Sequence, residues 1–431
     1  MDKYESYIDS GIDWLGKIPE HWEVKRLGNW FEERREKVSD KDFEPLSVTK
    51  NGILPQLENA AKSNDGDNRK LVKKGDFVIN SRSDRKGSSG LSNLDGSVSL
   101  INIVMKPRNI KGKFTNYLLK SNGFIEEFYR NGHGIVADLW TTRYDEMKFI
   151  NLAVPPIHEQ EAIASFLDDK CTKIDDLLGI KTQQIEKLKE LRQVKIHQSV
   201  TKGLDASIEL NDSGIDWIGE IPKHWEVKRL KNFICDLEGG VSVNASESES
   251  ANSNEIGVLK TSAVYTYSFD PLQNKKVFEN ELNRVSCRVR KGAIIISRMN
   301  APELVGASGL VLEEYPNLYL PDRLWQTKYH KIEFNKKWLS QLLVSNGFRS
   351  YMTTFANGSS PSMKNISKGD FLNISIPVPP LSEQEAIVAN LEQETSKIDQ
   401  AIAQRKKQIE KLKEYKQSLI NEVVTGKVKV A

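Results

Sequence analysis

Two stretches of this 431-residue chain constrain its fold more than any others: residues 154–203 and a copy 224 residues further on. Each follows a Pro-Pro break, Pro155-Pro156 or Pro379-Pro380, with more than forty residues of uninterrupted helical pattern. In the first copy Leu167, Cys171, Ile174, Leu178, Lys181, Ile185 and Leu188 step by four and three, a narrow seam along one long helix. The second repeats the spacing with Leu391, Thr395, Ile398, Ile402, Arg405, Ile409 and Leu412, and continues to Leu419 and Val423. A helix this long with one apolar stripe must bury it, so the two arms are predicted to pack on each other.

A second duplication brackets the arms. The segment SGIDWLGKIPEHWEVKRL at 10–27 returns as SGIDWIGEIPKHWEVKRL at 213–230, with fifteen of eighteen positions identical. Two of the changes are coupled, since Lys17 and Glu20 become Glu220 and Lys223, which reads as a surface ion pair of little energy. Glycines, a proline and two tryptophans make the motif a packed cap, with His21 and His224 expected to be buried beside the tryptophans. The regions that follow, about 28–152 and 231–376, differ strongly but share landmarks. Phe77 to Asn80 and Ala293 to Ser297 read as equivalent strands ending in Ser81-Arg82 and Ser297-Arg298. Each leads to a Ser-Gly pair, Ser89-Gly90 or Ser308-Gly309. The sequence SNGF, at Ser121–Phe124 and Ser345–Phe348, falls on a short amphipathic helix starting near Phe114 or Trp338. Strand-like segments at 149–154 and 372–378 lead into the arms. There Ser382-Glu383-Gln384-Glu385 reads as a capping box, with His158 in the corresponding place. Residues 203–213 read as a short polar linker, and 242–254, rich in Ser, Asn and Glu, reads as a mobile loop.

Length alone predicts two or three domains. With 38% hydrophobic residues, no run of eighteen apolar residues and no leader at Met1, the expected setting is cytoplasmic, with no membrane partner. Cys171, Cys235 and Cys287 have no metal or disulfide spacing and read as reduced thiols. The net charge of +3 does not by itself mark a nucleic-acid binder, but the arms are locally basic. Six cations from Lys181 to Lys202 face Glu186 and Glu190, and eight from Arg405 to Lys429 face Glu410, Glu414 and Glu422.

The expected catalytic and metal residues are none. HEQEA at His158 lacks the second histidine of a zinc motif, and its copy replaces His158 by Ser382. Neither phosphate-loop nor dinucleotide glycine patterns occur. A nuclease-like E-x-K stands at Glu146-Met147-Lys148, but the copy reads Asp370-Phe371-Leu372. What remains is a binding protein with duplicated, diverged recognition regions joined by long helices.

The paired GIDWxGxIPxHWEVKRL segments, the paired PPxxEQEAI arm starts and the paired IEKLKE segments at Ile185–Glu190 and Ile409–Glu414 resemble the specificity subunit of type I restriction-modification systems, over essentially the whole chain. The resemblance implies an α+β fold with an internal pseudo-two-fold repeat: two mixed α/β target recognition domains separated by two long helices in an antiparallel coiled coil. The corresponding boundaries are 1–152 and 204–376 for the recognition domains, and 153–203 and 377–431 for the arms. It also implies a non-catalytic subunit that binds double-stranded DNA and docks two methyltransferase subunits, which modify N6 of adenine, and restriction subunits. No cofactor belongs to this chain; S-adenosylmethionine, ATP and Mg are implied on the partners. Because the recognition regions diverge while the arms do not, the target is expected to be an asymmetric bipartite sequence whose gap is set by an arm of ~60 Å. A protein scaffold that touches no nucleic acid, and a nuclease working through Glu146 and Lys148, are the alternatives.

The DNA-binding candidates come from the residues themselves. After the matched strands stand Asn80, Ser81, Arg82, Ser83, Arg85 and Lys86 in the first half and Ser297, Arg298 and Asn300 in the second. Arg can pair with guanine, Asn with adenine, and Ser with base or phosphate. Further candidates are Thr49, Lys50 and Asn51 with Lys260 and Thr261, then Asn131, His133 and Arg143 with Asn357, Ser359 and Lys364. The arm cations read as the wet face of a coiled coil and a docking surface.

Overall fold

The structure, a computed structural model, describes residues 2–56, 66–134, 140–360 and 363–430, and mixes helices with mostly antiparallel sheets. Contacts divide it into two units. The first holds Met1–Thr182 and Arg405–Ala431, the second Gln183–Gln404, so each unit contains part of both long helices, Ile157–Lys202 and Leu381–Val424.

In the first unit a four-stranded antiparallel sheet runs in the order Ser89–Leu91, Phe77–Asn80, Asn102–Pro107, Phe31–Glu33. Phe77–Asn80 is buried throughout, as its apolar, β-branched run predicts. A smaller sheet of Gly96–Val98, Arg69–Val72 and Lys37–Val38 lies in the same unit. The repeated motif supplies Glu23–Arg26, which pairs with the pre-arm strand Asn151–Val154. Helices Gly112–Leu119 and Asn122–Arg130 cover the core. SNGF therefore does not lie on one helix but starts a second: Ser121 is the N-cap of Asn122–Arg130, its Oγ accepting from the Phe124 N–H. Trp22, Phe31, Phe77, Phe114, Phe124 and Phe128 share this core with Ile163, Leu167 and Ile174 of the first long helix and Leu419 and Val423 of the second.

The second unit repeats this plan with Ser308–Leu310, Ile294–Ser297, Leu324–Tyr329 and Ile234–Gly239 in the large sheet, and Glu226–Arg229 paired with Ser375–Val378. Lys336–Val344 and Asn346–Thr354 are its helices. Its small sheet differs, joining Gly257–Leu259 to Leu318–Tyr319 in parallel. Residues 242–254 are tied down and not a free loop: Asn244 Nδ2 donates to Glu281 Oε1 at 2.9 Å, and the Ala251 N–H to Asn274 Oδ1 at 2.8 Å. Nor does the charge swap in the repeated motif make a local pair, since Lys223 reaches Glu209 at 3.2 Å.

In each unit the long-helix segments lie side by side and antiparallel. Asp175 meets Lys416 at 2.7 Å in the first; Arg192 meets Asp399 at 3.3 Å and Lys195 meets Glu394 at 3.8 Å in the second. Leu167, Cys171, Ile174, Ile185, Leu391, Thr395 and Ile398 are buried, while Leu178, Lys181, Leu188, Ile402, Arg405, Ile409 and Leu412 are half-buried, so burial follows the seam.

The helix starts differ from the capping box read in the sequence. Pro156 and Pro380 carbonyls accept the first N–H bonds, from Glu159 and Gln160 and from Glu383 and Gln384, each at 3.0 Å. His158 and Ser382 thus lie within the first turn instead of at the cap. The residues after them carry the joint. Glu159, 4% exposed, accepts from Tyr4 Oη, from His21 Nε2 at 2.8 Å and from Trp22 Nε1 at 3.1 Å. Glu383 repeats this with His224 Nε2 at 2.6 Å and Trp225 Nε1 at 2.9 Å, without a tyrosine. Both tryptophans are buried, but the histidines are not: their side chains are 50% and 41% exposed. Gln160 and Gln384 are buried too. Each donates to the carbonyl of the first proline of its pair and accepts the N–H of Lys111 or Asn335, at the start of the covering helix.

Candidate nucleic-acid interface

Segments far along the chain return to where the matched strands end. In the first unit backbone bridges join Arg82 to Thr141 and Thr141 to His133. In the second, Met299–Asn300, Met363–Asn365 and Asn357–Ser360 form a short three-stranded sheet, with Asn300 opposite Lys364 and Asn357 opposite Asn365. Two of the groups of sequence landmarks thus meet in each unit, and in the second Thr261 joins them through Tyr265.

The side chains at that edge are not equally free. Asn80 and Ser81 are buried; Asn80 Oδ1 accepts the Arg82 N–H at 3.0 Å. Ser83 is half-buried, and its N–H donates to the Trp140 carbonyl at 3.0 Å. Arg85 lies 3.5 Å from Asp84, and Lys86 pairs with Glu126 at 2.6 Å over the Tyr129 ring. Arg82, His133 and Arg143 are exposed. Tyr129 Oη donates to the Arg82 carbonyl at 2.9 Å, and burial pushes its phenol up to about 12. Asn131 is turned inward, donating to the Glu127 carbonyl at 2.8 Å. Lys50 and Asn51 are exposed at a hairpin tip between Leu46–Thr49 and Gly52–Pro55, closed by Thr49 Oγ1 on the Gly52 carbonyl at 2.9 Å.

In the second unit Ser297 is fully buried and Arg298 half-buried. Thr261 Oγ1 lies 2.7 Å from Tyr265 Oη, which accepts from Asn300 Nδ2 at 2.7 Å; the same amide reaches Ser297 Oγ at 3.2 Å. Lys260 and Lys364 are half-buried and Asn357 is exposed. Of Ser359 only the backbone strand is described, its side chain lying outside the described residues.

Sequence reasoning missed Tyr129, Tyr265 and Trp325, which hold the edge from beneath. It also missed a cleft of about 530 Å³ lined by Arg35, Lys37, Lys70, Ser81, Thr141 and Arg143 among others. Only the spacing of cations around the matched strand could have signalled it.

The Glu146 and Lys148 of the nuclease alternative have local tasks. Glu146 Oε2 accepts the Arg143 N–H at 2.7 Å, at the start of a short helix, and Lys148 pairs with Asp145 at 2.8 Å, with Met147 buried between them.

Each of the two mixed units thus holds antiparallel segments of both long helices and a polar edge where its matched strand ends. Known proteins resemble this arrangement. The family model of the type I restriction modification DNA specificity domain matches residues 222–411. Two specificity subunits of Methanocaldococcus jannaschii are similar along nearly the full length. That of the type I restriction enzyme MjaVIII is 27% identical over 96% of this chain and 94% of its own, and that of the putative enzyme MjaX is 23% identical over 96% of each. Among solved structures, a chain from work on complex assembly and conformational transition of the type I R-M system has a TM-score of 0.68 at 16% identity, covering 94% of this chain and 98% of its own. The HsdS subunit from Thermoanaerobacter tengcongensis has a TM-score of 0.50 at 18% identity, covering 95% and 98%. The chain is thus similar to type I specificity subunits in sequence along nearly its whole length, and in fold to the solved chains.

Proposed function

We propose that this chain is the non-catalytic DNA-specificity subunit of a type I restriction-modification complex, each unit binding one half of a split, asymmetric duplex target. The observation that carries this reading is the edge described above. In both units a later segment bridges to the end of the matched strand, while the side chains presented there differ: Arg82 and His133 in one, Arg298, Lys364 and Asn357 in the other. A common scaffold with different readers is what an asymmetric target requires. A pseudo-two-fold relation between the units would set two like surfaces against one side of the duplex, with the antiparallel helices fixing the gap.

The long helices are also the proposed platform for two methyltransferase subunits and for restriction subunits. Support comes from a second apolar row on Ile157–Lys202: Leu177, Ile180, Leu191 and Val194 are 44%, 48%, 43% and 49% exposed at helical spacing. S-adenosylmethionine, ATP and Mg belong in this reading to the partners, and the complex works in the cytoplasm, where its DNA is. No helix among the described residues is long and apolar enough to cross a membrane.

The test is selection of randomised duplexes by the chain with its methyltransferase subunits, followed by mapping of methylated adenines. Two short unlike half-sites at a fixed gap are expected. A contiguous target, or cleavage by the isolated chain with magnesium alone, would overturn the reading.

A further inference from the structure

The edge of the second unit offers far fewer base readers than its sequence does. This inference rests on the reading that the second unit binds one half of a DNA target. An asparagine reads adenine with its carbonyl oxygen and amide nitrogen together. Asn300 has spent both: Nδ2 donates to Tyr265 Oη and Ser297 Oγ at 2.7 and 3.2 Å, and Oδ1 accepts the Ala301 N–H at 2.9 Å. Ser297 is fully buried and takes part in that network, and Thr261 is held by Tyr265. These groups form a support.

Arg298 is placed differently. Its backbone is clamped on both sides, the N–H on the Arg323 carbonyl and the carbonyl under the Ile366 N–H, each at 3.1 Å. Its guanidinium carbon sits 5.8 Å from the centre of the Trp325 ring. That ring is packed in the core: Trp325 is 2% exposed, lies opposite Ile296 in the sheet and meets Phe371 edge-on at 6.4 Å. Arg298 Nε is shut off from solvent without a partner, which leaves the two terminal amino groups as the working end. Among the described residues no carboxylate pairs with it, whereas Arg284 and Arg290 nearby in sequence are paired with Glu281 and Glu238. A planar fork, held over an aromatic ring at cation–π distance and not neutralised, is preorganised for one flat pair of acceptors. Guanine presents such a pair in the major groove, O6 and N7.

We propose that Arg298, positioned by Trp325, reads a guanine in the half-site bound by the second unit, and that Ser297, Asn300, Thr261 and Tyr265 support it without reading bases. Arg82 ends the equivalent strand of the first unit, but there Asn102 stands opposite Asn80 where Trp325 stands opposite Ile296. The two arginines therefore act unequally: Arg298 demands one base, and Arg82 is free to follow base or phosphate.

The test uses the full chain with its methyltransferase subunits and a randomised duplex pool, comparing wild type with Arg298→Lys, which keeps the charge and removes the fork. Preference for guanine should fall about tenfold or more at a single position of one half-site, with the other half-site and the affinity for unrelated DNA unchanged. Arg82→Lys should leave that position intact, and Arg298→Gln gives the same readout where lysine disturbs folding. An even loss on all sequences would mark a phosphate contact and overturn the assignment. So would a split target whose base preferences Arg298→Lys does not alter. A wild-type complex without a split preference would overturn the DNA reading and this assignment with it.

Discussion

Glu159 and Glu383 show how little a residue's local pattern says about its task. Beside a helix start each looks like an acid favoured by the helix dipole, yet each accepts the indole and imidazole of the motif more than a hundred residues earlier in the chain. Glu159 is buried with Tyr4 added, whereas the Glu383 side chain is 35% exposed. Glu159→Ala should therefore cost about 3 kcal/mol, from stranded buried donors, and Glu383→Ala about 1 kcal/mol, as read by urea unfolding. His197 supplies a pH dependence. Burial, with Lys202 second, holds its imidazole below the ordinary 6.5, so the folded second unit favours the neutral ring. The stability this contributes is present above pH 6.5 and is lost as pH falls through the lowered value. Thermal midpoints should fall on acidification over that range, less steeply in His197→Gln. At the candidate interface, Arg82→Ala should weaken binding at one half-site only, by ~1 to 3 kcal/mol in gel shifts; an equal loss on unrelated DNA would assign Arg82 to phosphate.

At the scale of elements, the repeated motif emerges as a clamp on both long helices at once. In the first unit its Trp22 holds Glu159 at one helix start, while Gly426, in the left-handed region past the other helix end, leaves no room for a Cβ beside Pro19 and Trp22. In the second unit Trp225 holds Glu383 and lies against Gly203, again at positive φ. The glycines of SNGF have a related reason: a side chain at Gly123 would strike Trp14 and Asn421, and one at Gly347 would strike His197, so each marks a close approach to a long helix. The outer row on Ile157–Lys202 is left uncovered by these joints. Changing Leu191 and Val194 to Glu should abolish co-purification of a methyltransferase subunit while leaving the melting temperature within about 2 °C, since both residues are exposed.

For the whole molecule the decisive quantity is helix register. Within the second unit Arg192 meets Asp399, an antiparallel register that sets Gln404 opposite Lys187. One heptad inserted after Lys187 and another after Gln404 should lengthen the helix pair by ~10 Å. Methylation mapping should then find the half-sites about three base pairs further apart, with their sequences unchanged; an unaltered gap would refute the spacer role. Much of this was legible in the chain itself, where it was local or periodic: the offset of 224, the seam and its burial, the strands Phe77–Asn80 and Ile294–Ser297, and the breaks at paired prolines. Helical and strand periodicities are set by neighbours in sequence, and duplication exposes them twice. What only the tertiary structure decided depends on partners distant in sequence. It placed His21 at the surface on a buried Glu159, moved Ser382 inside its helix, and brought residues 133 and 141 to the end of a strand at 80. It also bound Asn300 to Tyr265 while leaving Arg298 on Trp325. A side chain's freedom to read a base is what its fold has left unspent, and no spacing of residues records that.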